Sequence, residues 1–222
     1  MTKAGARAEH LTEDQIDALD QAETYMFHSD FCPYLELKEM LPDPSKLARE
    51  RFKILFTNYY GLNAARLNDN FKNPFFEFMF APKLKPDGVP DFGAMIESLS
   101  NIPKDETDEQ RKPKRNALHF SFVSKLVATH REASPIYDRH VRAFFKVSEP
   151  PLSWDREKRI ESVSKYLFHV EECYCAWSQV PRVAEILERF KLRDQRLKDC
   201  DVVRLMDFLV WKVGNRKLLK AD

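Results

Sequence analysis

The sequence predicts an all-α protein, and three observations carry the prediction. Apolar residues recur at helical spacing in one segment after another,. No stretch alternates apolar and polar residues as a half-buried strand does,. Glycine is scarce, with 5 glycines against 13 prolines in 222 residues, which argues against a sandwich of many tight turns and against a glycine-rich phosphate loop. With 43% hydrophobic and 32% charged residues, the chain has the balance of a globular protein able to bury a core.

The elements follow in order. Thr12-Glu13-Asp14-Gln15 is a capping pattern that opens a helix over 12–27, with Ile16, Leu19, Ala22 and Met26 as its stripe,. Asp43 and Pro44 open a helix over 44–60, and Gly61 supplies a left-handed stop,. Residues 65–80 form a third, crowded with Phe71, Phe75, Phe76, Phe78 and Phe80, in which Pro74 predicts a kink or a restart,. Residues 82–90, rich in proline and lysine, form a loop and the one candidate domain boundary,. A short helix over 90–100 and a polar connection over 103–112 follow. The next helix, 113–130, must end near His130, because Pro135 disfavours helical geometry before it,. Further helices are expected at 138–147, 154–178, 181–196 and 200–214, the last stopping at Gly214. The domain expectation is one all-helical unit over 1–222, with two lobes around a cleft as the alternative.

Several classes of function are disfavoured. No apolar run is long enough to span a bilayer, and the first ten residues lack the apolar core of a secretion signal,. A cytoplasmic location, no membrane partner and a monomer are expected. Cys32, Cys173, Cys175 and Cys200 read as structural thiols, because Cys173-Tyr174-Cys175 has no second pair at metal-binding spacing,. His10, His28, His130 and His169 show no metal-ligand spacing, so no metal and no cofactor are expected,. There is no Gly-x-Ser-x-Gly elbow,.

The informative stretch is 111–146. It holds nine basic residues (Arg111, Lys112, Lys114, Arg115, Lys125, Arg131, Arg139, Arg142 and Lys146) and two acids, Glu132 and Asp138. Its charge is therefore 9 − 2 = +7 in a chain of net +1. Phosphate binding needs such a local basic surface, although two solvated helix faces would give the same count. Within it, Pro135-Ile136-Tyr137-Asp138-Arg139-His140-Val141-Arg142 places Asp138 where a helix starts after a proline-led connection. Asp138 then reads either as a helix cap or as a carboxylate fixed beside a basic surface.

This segment resembles the helix-hairpin-helix DNA glycosylase superfamily. In that family a proline-led turn presents a catalytic aspartate within a motif like Pro-x-x-Asp-x-His-Val. The aspartate falls on Asp138, and the His-Val on His140 and Val141. Residues 116–125 are similar to the second helix of the family's hairpin, and the resemblance covers about 115–145. It implies a helical glycosylase-like fold, double-stranded DNA as partner, and hydrolysis of the N-glycosidic bond of a flipped base. Asp138 would stabilise the oxocarbenium sugar or orient water. The substrate would be a damaged base, or a modified cytosine of phage DNA, which makes repair and antiviral defence the two candidate roles. Lys112, Lys114, Arg115, Lys125, Arg139, His140 and Arg142 become the DNA-contacting candidates.

The departures are specific. The family's hairpin carries a glycine turn that grips phosphate through backbone amides, whereas residues 101–117 contain no glycine and Lys112-Pro113-Lys114-Arg115-Asn116 stand there instead. In lyase members a nucleophilic lysine opens the second helix. Here that place falls near His119-Phe120-Ser121, and Lys125 comes a turn too late, so a monofunctional enzyme is expected.

A base pocket needs aromatic faces and amides. Tyr59, Tyr60 and Asn63 supply both around a helix end, and His119 is a further candidate. The same Tyr-Tyr-Gly segment also reads as a core helix with its glycine cap. Trp211 reads as core, and Asp207 as a helix salt bridge or a carboxylate standing behind the site. The competing function is a non-catalytic helical DNA-binding module; a protein-interaction domain would make the local +7 incidental.

Overall fold

A computed structural model of the chain describes residues 10–63, 67, 69–100, 102 and 118–219. The protein is all-α: among these residues lie ten α-helices, one 3-10 helix and no strand. The chain divides into two compact units. One comprises Met1–His28, Glu132–Pro150 and Ser162–Asp222; the other comprises Ser29–Arg131 and Pro151–Glu161.

The first unit is built on its C-terminal helix. Helix α1, Glu13–Thr24, starts with the anticipated capping box: the Gln15 amide donates to Thr12 Oγ1 at 3.2 Å, and the Thr12 amide donates to Gln15 Oε1 at 3.0 Å,. Its buried Ile16, Ala18, Leu19 and Ala22 face helices α9, Pro181–Lys191, and α10, Val202–Arg216. Along the α1–α9 seam runs an ion-pair ladder. Arg182 pairs with Glu13 and Asp17, Arg189 with Asp20 and Glu23, and Arg193 with Glu23. The segment expected as one helix over 181–196 is broken after Lys191. A separate 3-10 turn, Gln195–Asp199, restarts on the Asp194 cap, whose Oδ1 accepts from the Arg196 amide at 2.9 Å.

Helix α7, Arg139–Phe144, packs on α10 and is six residues long, shorter than the expected 138–147. Helix α10 does not stop at Gly214: it runs on to Arg216 and ends at Lys217 in the left-handed conformation. Gly214 serves packing instead of termination. A Cβ there would lie 2.7 Å from His140 Cβ, 2.9 Å from His140 Cα and 2.9 Å from His140 O. Only glycine lets the backbone of α7 approach α10 this closely. The long helix α8, Arg156–Trp177, contributes Ser162 onward to this unit.

The second unit has an aromatic core. Helix α2, His28–Met40, has no counterpart among the sequence expectations. Pro33 sits inside it, removing an amide donor from a turn whose buried Phe31, Tyr34 and Leu35 otherwise keep helical spacing,. Helix α3, Lys46–Tyr59, is capped by Ser45 rather than Asp43, and Gly61 takes φ +69 just beyond it. Helix α4, Asp69–Phe80, runs through Pro74. Phe52, Phe56, Phe75, Phe76 and Phe80 meet edge-to-face or tilted between α3 and α4.

The proline-lysine loop lies inside this unit and separates nothing. It folds back on itself: Leu84 bridges Pro90, the Asp91 amide donates to Lys83 O, and Gly88 turns at φ +80. Helices α5, Phe92–Ser100, and α6, Phe120–His130, complete the unit, and α6 ends at His130 as expected. His130 Nε2 lies 2.7 Å from Met79 O, and burial lowers the imidazole's pKa despite that bond,.

Candidate functional site

The segment between α6 and α7 cannot be helical ahead of Pro135, so it must be held in another way. Helix α10 holds it. Arg204 and Asp207, one turn apart, are both buried and paired, with Arg204 Nη1 2.7 Å from Asp207 Oδ2. Each also bonds the segment's backbone. Asp207 Oδ2 accepts from the Ile136 amide at 3.0 Å, and Arg204 Nη2 donates to Ser134 O at 2.8 Å. Ahead of them, Glu132 Oε2 accepts from the Asp201 amide at 2.8 Å. Three anchors therefore fix the chain between Glu132 and Ile136.

Asp138 follows two residues later. It is half-buried, extended in backbone, and caps α7: its Oδ1 accepts from the His140 amide at 2.8 Å. The capping role read from the sequence is therefore present. Arg139 is exposed, and its Nε lies 3.2 Å from His140 Nε2. The His140 ring meets Trp211 of α10 edge-on at 5.8 Å. Arg142 stacks over Tyr137 at 5.2 Å and pairs with Glu149 at 2.6 Å. Glu149 lies just outside the stretch counted as +7, so the structure partly neutralises the cation that the count left bare.

Beneath this segment is a buried aromatic-polar cluster. Tyr137 meets Tyr166 edge-on at 5.8 Å, and Phe145 contacts Tyr166, Tyr174 and Trp177. Burial raises the pKa of the Asp207 carboxyl to about 6, outweighing Arg204, the Ile136 amide and Tyr174; the charge of Asp138 raises it further,. Burial and then Asp207 push the hydroxyls of Tyr166 and Tyr174 well above the usual phenol range. Asp207 Oδ1 and both hydroxyls are buried without a well-formed hydrogen bond among the described residues.

The other candidates belong to the second unit. Tyr59 is a structural anchor there: its hydroxyl donates to Asp30 O at 2.6 Å. The Tyr60 ring lies 4.6 Å from that of Tyr59 and 5.4 Å from Lys125 Nζ. Lys125 is buried, with its ammonium between the Tyr60 and Phe122 rings and 3.0 Å from Ser121 Oγ. This placement holds the ammonium away from solvent, where a phosphate contact was expected. His119 is buried against Phe71, 4.2 Å between centroids, and sits at the start of α6. Asn63 is exposed, and its Oδ1 accepts from Lys72 at 2.7 Å. Lys112, Lys114 and Arg115 lie outside the described residues.

Two features were not singled out in the sequence. Arg204 is the more important, and its signal was present: an Arg and an Asp three residues apart amid Val203, Leu205, Met206, Phe208 and Leu209. Charges one turn apart on an otherwise apolar helix must be paired in the core or face a site. The other is a groove of about 630 Å³ in the second unit, which Lys46, Arg49 and Lys53 line together with Phe76 and Phe80. Arg49 stacks on Phe80 at 5.0 Å and Lys53 pairs with Glu50 at 2.8 Å, so two of its cations are engaged.

No helix among the described residues is long and apolar enough to cross a membrane. Compared with known proteins, the chain matches no family model, no curated protein and no solved structure.

Proposed function

We propose that the chain is a monofunctional DNA glycosylase that hydrolyses the N-glycosidic bond of an extruded damaged or modified base and leaves an abasic site. The observation that supports this reading is Asp138, a half-buried carboxylate at the head of a short helix, on a backbone anchored two residues earlier by a buried ion pair. Glycosidic cleavage needs such a group. As the bond to the base lengthens, the sugar carbon gains positive charge, and a fixed carboxylate lowers the energy of that state without reorganising. The same carboxylate orients a water toward the anomeric carbon. Arg139, exposed beside it, is the phosphate-contacting candidate of α7,.

The test separates chemistry from capping. Duplex DNAs carrying alkylated, oxidised or deaminated bases, or glucosylated hydroxymethylcytosine, are incubated with the protein. Alkaline cleavage then reveals abasic sites. Asp138→Asn keeps a cap of equal quality, so it is expected to retain the melting temperature and duplex binding. Excision is expected to fall by a factor on the order of a hundred or more. Excision surviving in Asp138→Asn would remove the assignment.

One observation favours the non-catalytic module instead: Asp138 Oδ1 is engaged by the His140 amide, as a purely structural cap would be. Salt-sensitive duplex binding without excision across the whole panel is the outcome that module predicts.

A further inference from the structure

We propose that Arg204 and Asp207 are positioning residues: the pair fixes the approach of the Asp138 carboxylate from within the core of the first unit. The inference rests on the reading of Asp138 as the reacting carboxylate.

A cap alone does not call for this arrangement. Capping of α7 needs only the Asp138 side chain and the His140 amide, which are local,. Arg204 and Asp207 reach across about 70 residues of sequence to bond Ser134 O and the Ile136 amide. Both are buried, and a buried ion pair is commonly no more stabilising than apolar side chains of the same volume,. What the pair supplies beyond stability is direction. A guanidinium and a carboxylate specify where one carbonyl and one amide must lie, whereas apolar contacts leave the segment free to slide. Tyr137, between the anchored Ile136 and Asp138, is itself pinned: buried, edge-on to Tyr166 and beneath Arg142. Gly214 completes the frame by admitting the His140 backbone against α10. Asp138 is thus set from both sides by one helix.

The decisive variant is the double substitution Arg204→Met/Asp207→Leu, which keeps the core filled and removes both directional bonds. Native-state hydrogen exchange is read at the Ile136 amide, which the pair holds directly, and at the His140 amide, which Asp138 holds. The Leu209 amide in α10 serves as the reference. The expected result is a rise of about tenfold or more at both Ile136 and His140 with Leu209 unchanged. On an excised substrate, kcat falls by about ten- to a hundredfold while the duplex Kd stays within about threefold.

A rise confined to Ile136, or a uniform rise including Leu209, would overturn the positioning role, since the first leaves Asp138 in place and the second is general loosening. Should the double variant not fold, Asp207→Asn keeps the volume and one neutral acceptor oxygen. It is expected to show the same paired rise at smaller size, and its absence would equally sink the idea. The exchange result stands apart from catalysis. A wild-type protein that excises nothing from the panel counts against the glycosylase reading, and the His140 amide still reports on the clamp.

Discussion

Replacing Gly214 by alanine sets two known effects against each other, and the structure says which wins. On an exposed helix, Gly→Ala is stabilising by about 1 kcal/mol, because alanine loses less backbone entropy. Here the new methyl would stand 2.7 Å from His140 Cβ and 2.9 Å from His140 Cα and O. Ordinary carbon contacts begin near 3.5–4.0 Å, so α7 must retreat by about 1 Å. Two of the three atoms are backbone, so no rotamer change relieves the clash. Overpacking of this kind costs roughly 1–3 kcal/mol, which leaves Gly214→Ala up to about 2 kcal/mol less stable after the helix gain. For a chain of this length that is a fall of up to about 8 °C in Tm.

On the proposed reading of Asp138, the larger effect is expected in function, because this residue caps α7. A displacement of about 1 Å at a reacting group costs on the order of a hundredfold in rate. Urea unfolding and excision kinetics on the same preparation separate the two effects. An alanine variant more stable than wild type, with unchanged kcat, would show that α7 and α10 do not meet at Gly214 as described.

Other consequences follow from the same contacts. Glu23 is buried between Arg189 and Arg193, whereas Glu13 and Arg182 are exposed. Glu23→Gln should therefore cost about 1–3 kcal/mol in urea unfolding, and Glu13→Gln under about 1 kcal/mol. Asp207 titrates near 6 when folded and near 3.8 when unfolded. Raised in this way, its contribution to stability is fully present below pH 3.8 and is lost as pH rises through about 6. Wild type should thus lose up to about 3 kcal/mol relative to Asp207→Asn between pH 4 and 7, a difference that paired unfolding curves across that range would reveal. Asp138→Ala removes cap and charge together. It should cost about 1 kcal/mol of stability that Asp138→Asn does not, and equal melting of the two variants would show that the His140 bond contributes nothing.

The fold was legible wherever chemistry is local. Thr12 and Gln15 announce the start of α1, and Pro135 bounds the end of α6, because caps and prolines act on their neighbours,. Where tertiary contacts overrule local preference, the sequence misled. No helix is expected over residues 28–40 from the sequence, yet Phe31, Tyr34 and Leu35 are buried and α2 persists through Pro33. Gly214 looked like a stop, but its use lies in the approach of His140, some 74 positions earlier in the chain and invisible to any local pattern. The same division holds at the candidate site. The position of Asp138 before a helix could be read directly, while the pair holding its segment required knowing that α10 passes under 132–136. Charge counting failed at Arg142 and Lys125 for a related reason. A count treats each cation as solvated, and here one pairs with Glu149 and the other is enclosed by Tyr60 and Phe122.

These contacts bear on how Asp138 is to be understood. A structural cap is satisfied by one hydrogen bond and tolerates small movements of its helix, since cap and amide move together,. A reacting carboxylate must be fixed with respect to something outside its own helix, because its partner is a substrate that does not move with it. In the first unit that outside reference is α10. It anchors the segment before Asp138 through Arg204 and Asp207, and receives the residue two positions after it at Gly214. The Asp207 carboxyl, destabilised by burial and by the charge of Asp138, is a cost that a simple cap would not require,. If Asp138 is only a cap, apolar replacement of the Arg204–Asp207 pair loosens the 134–136 backbone it holds but has no excision rate to lower. If Asp138 reacts, the same replacement should leave a stable protein whose excision chemistry is slow.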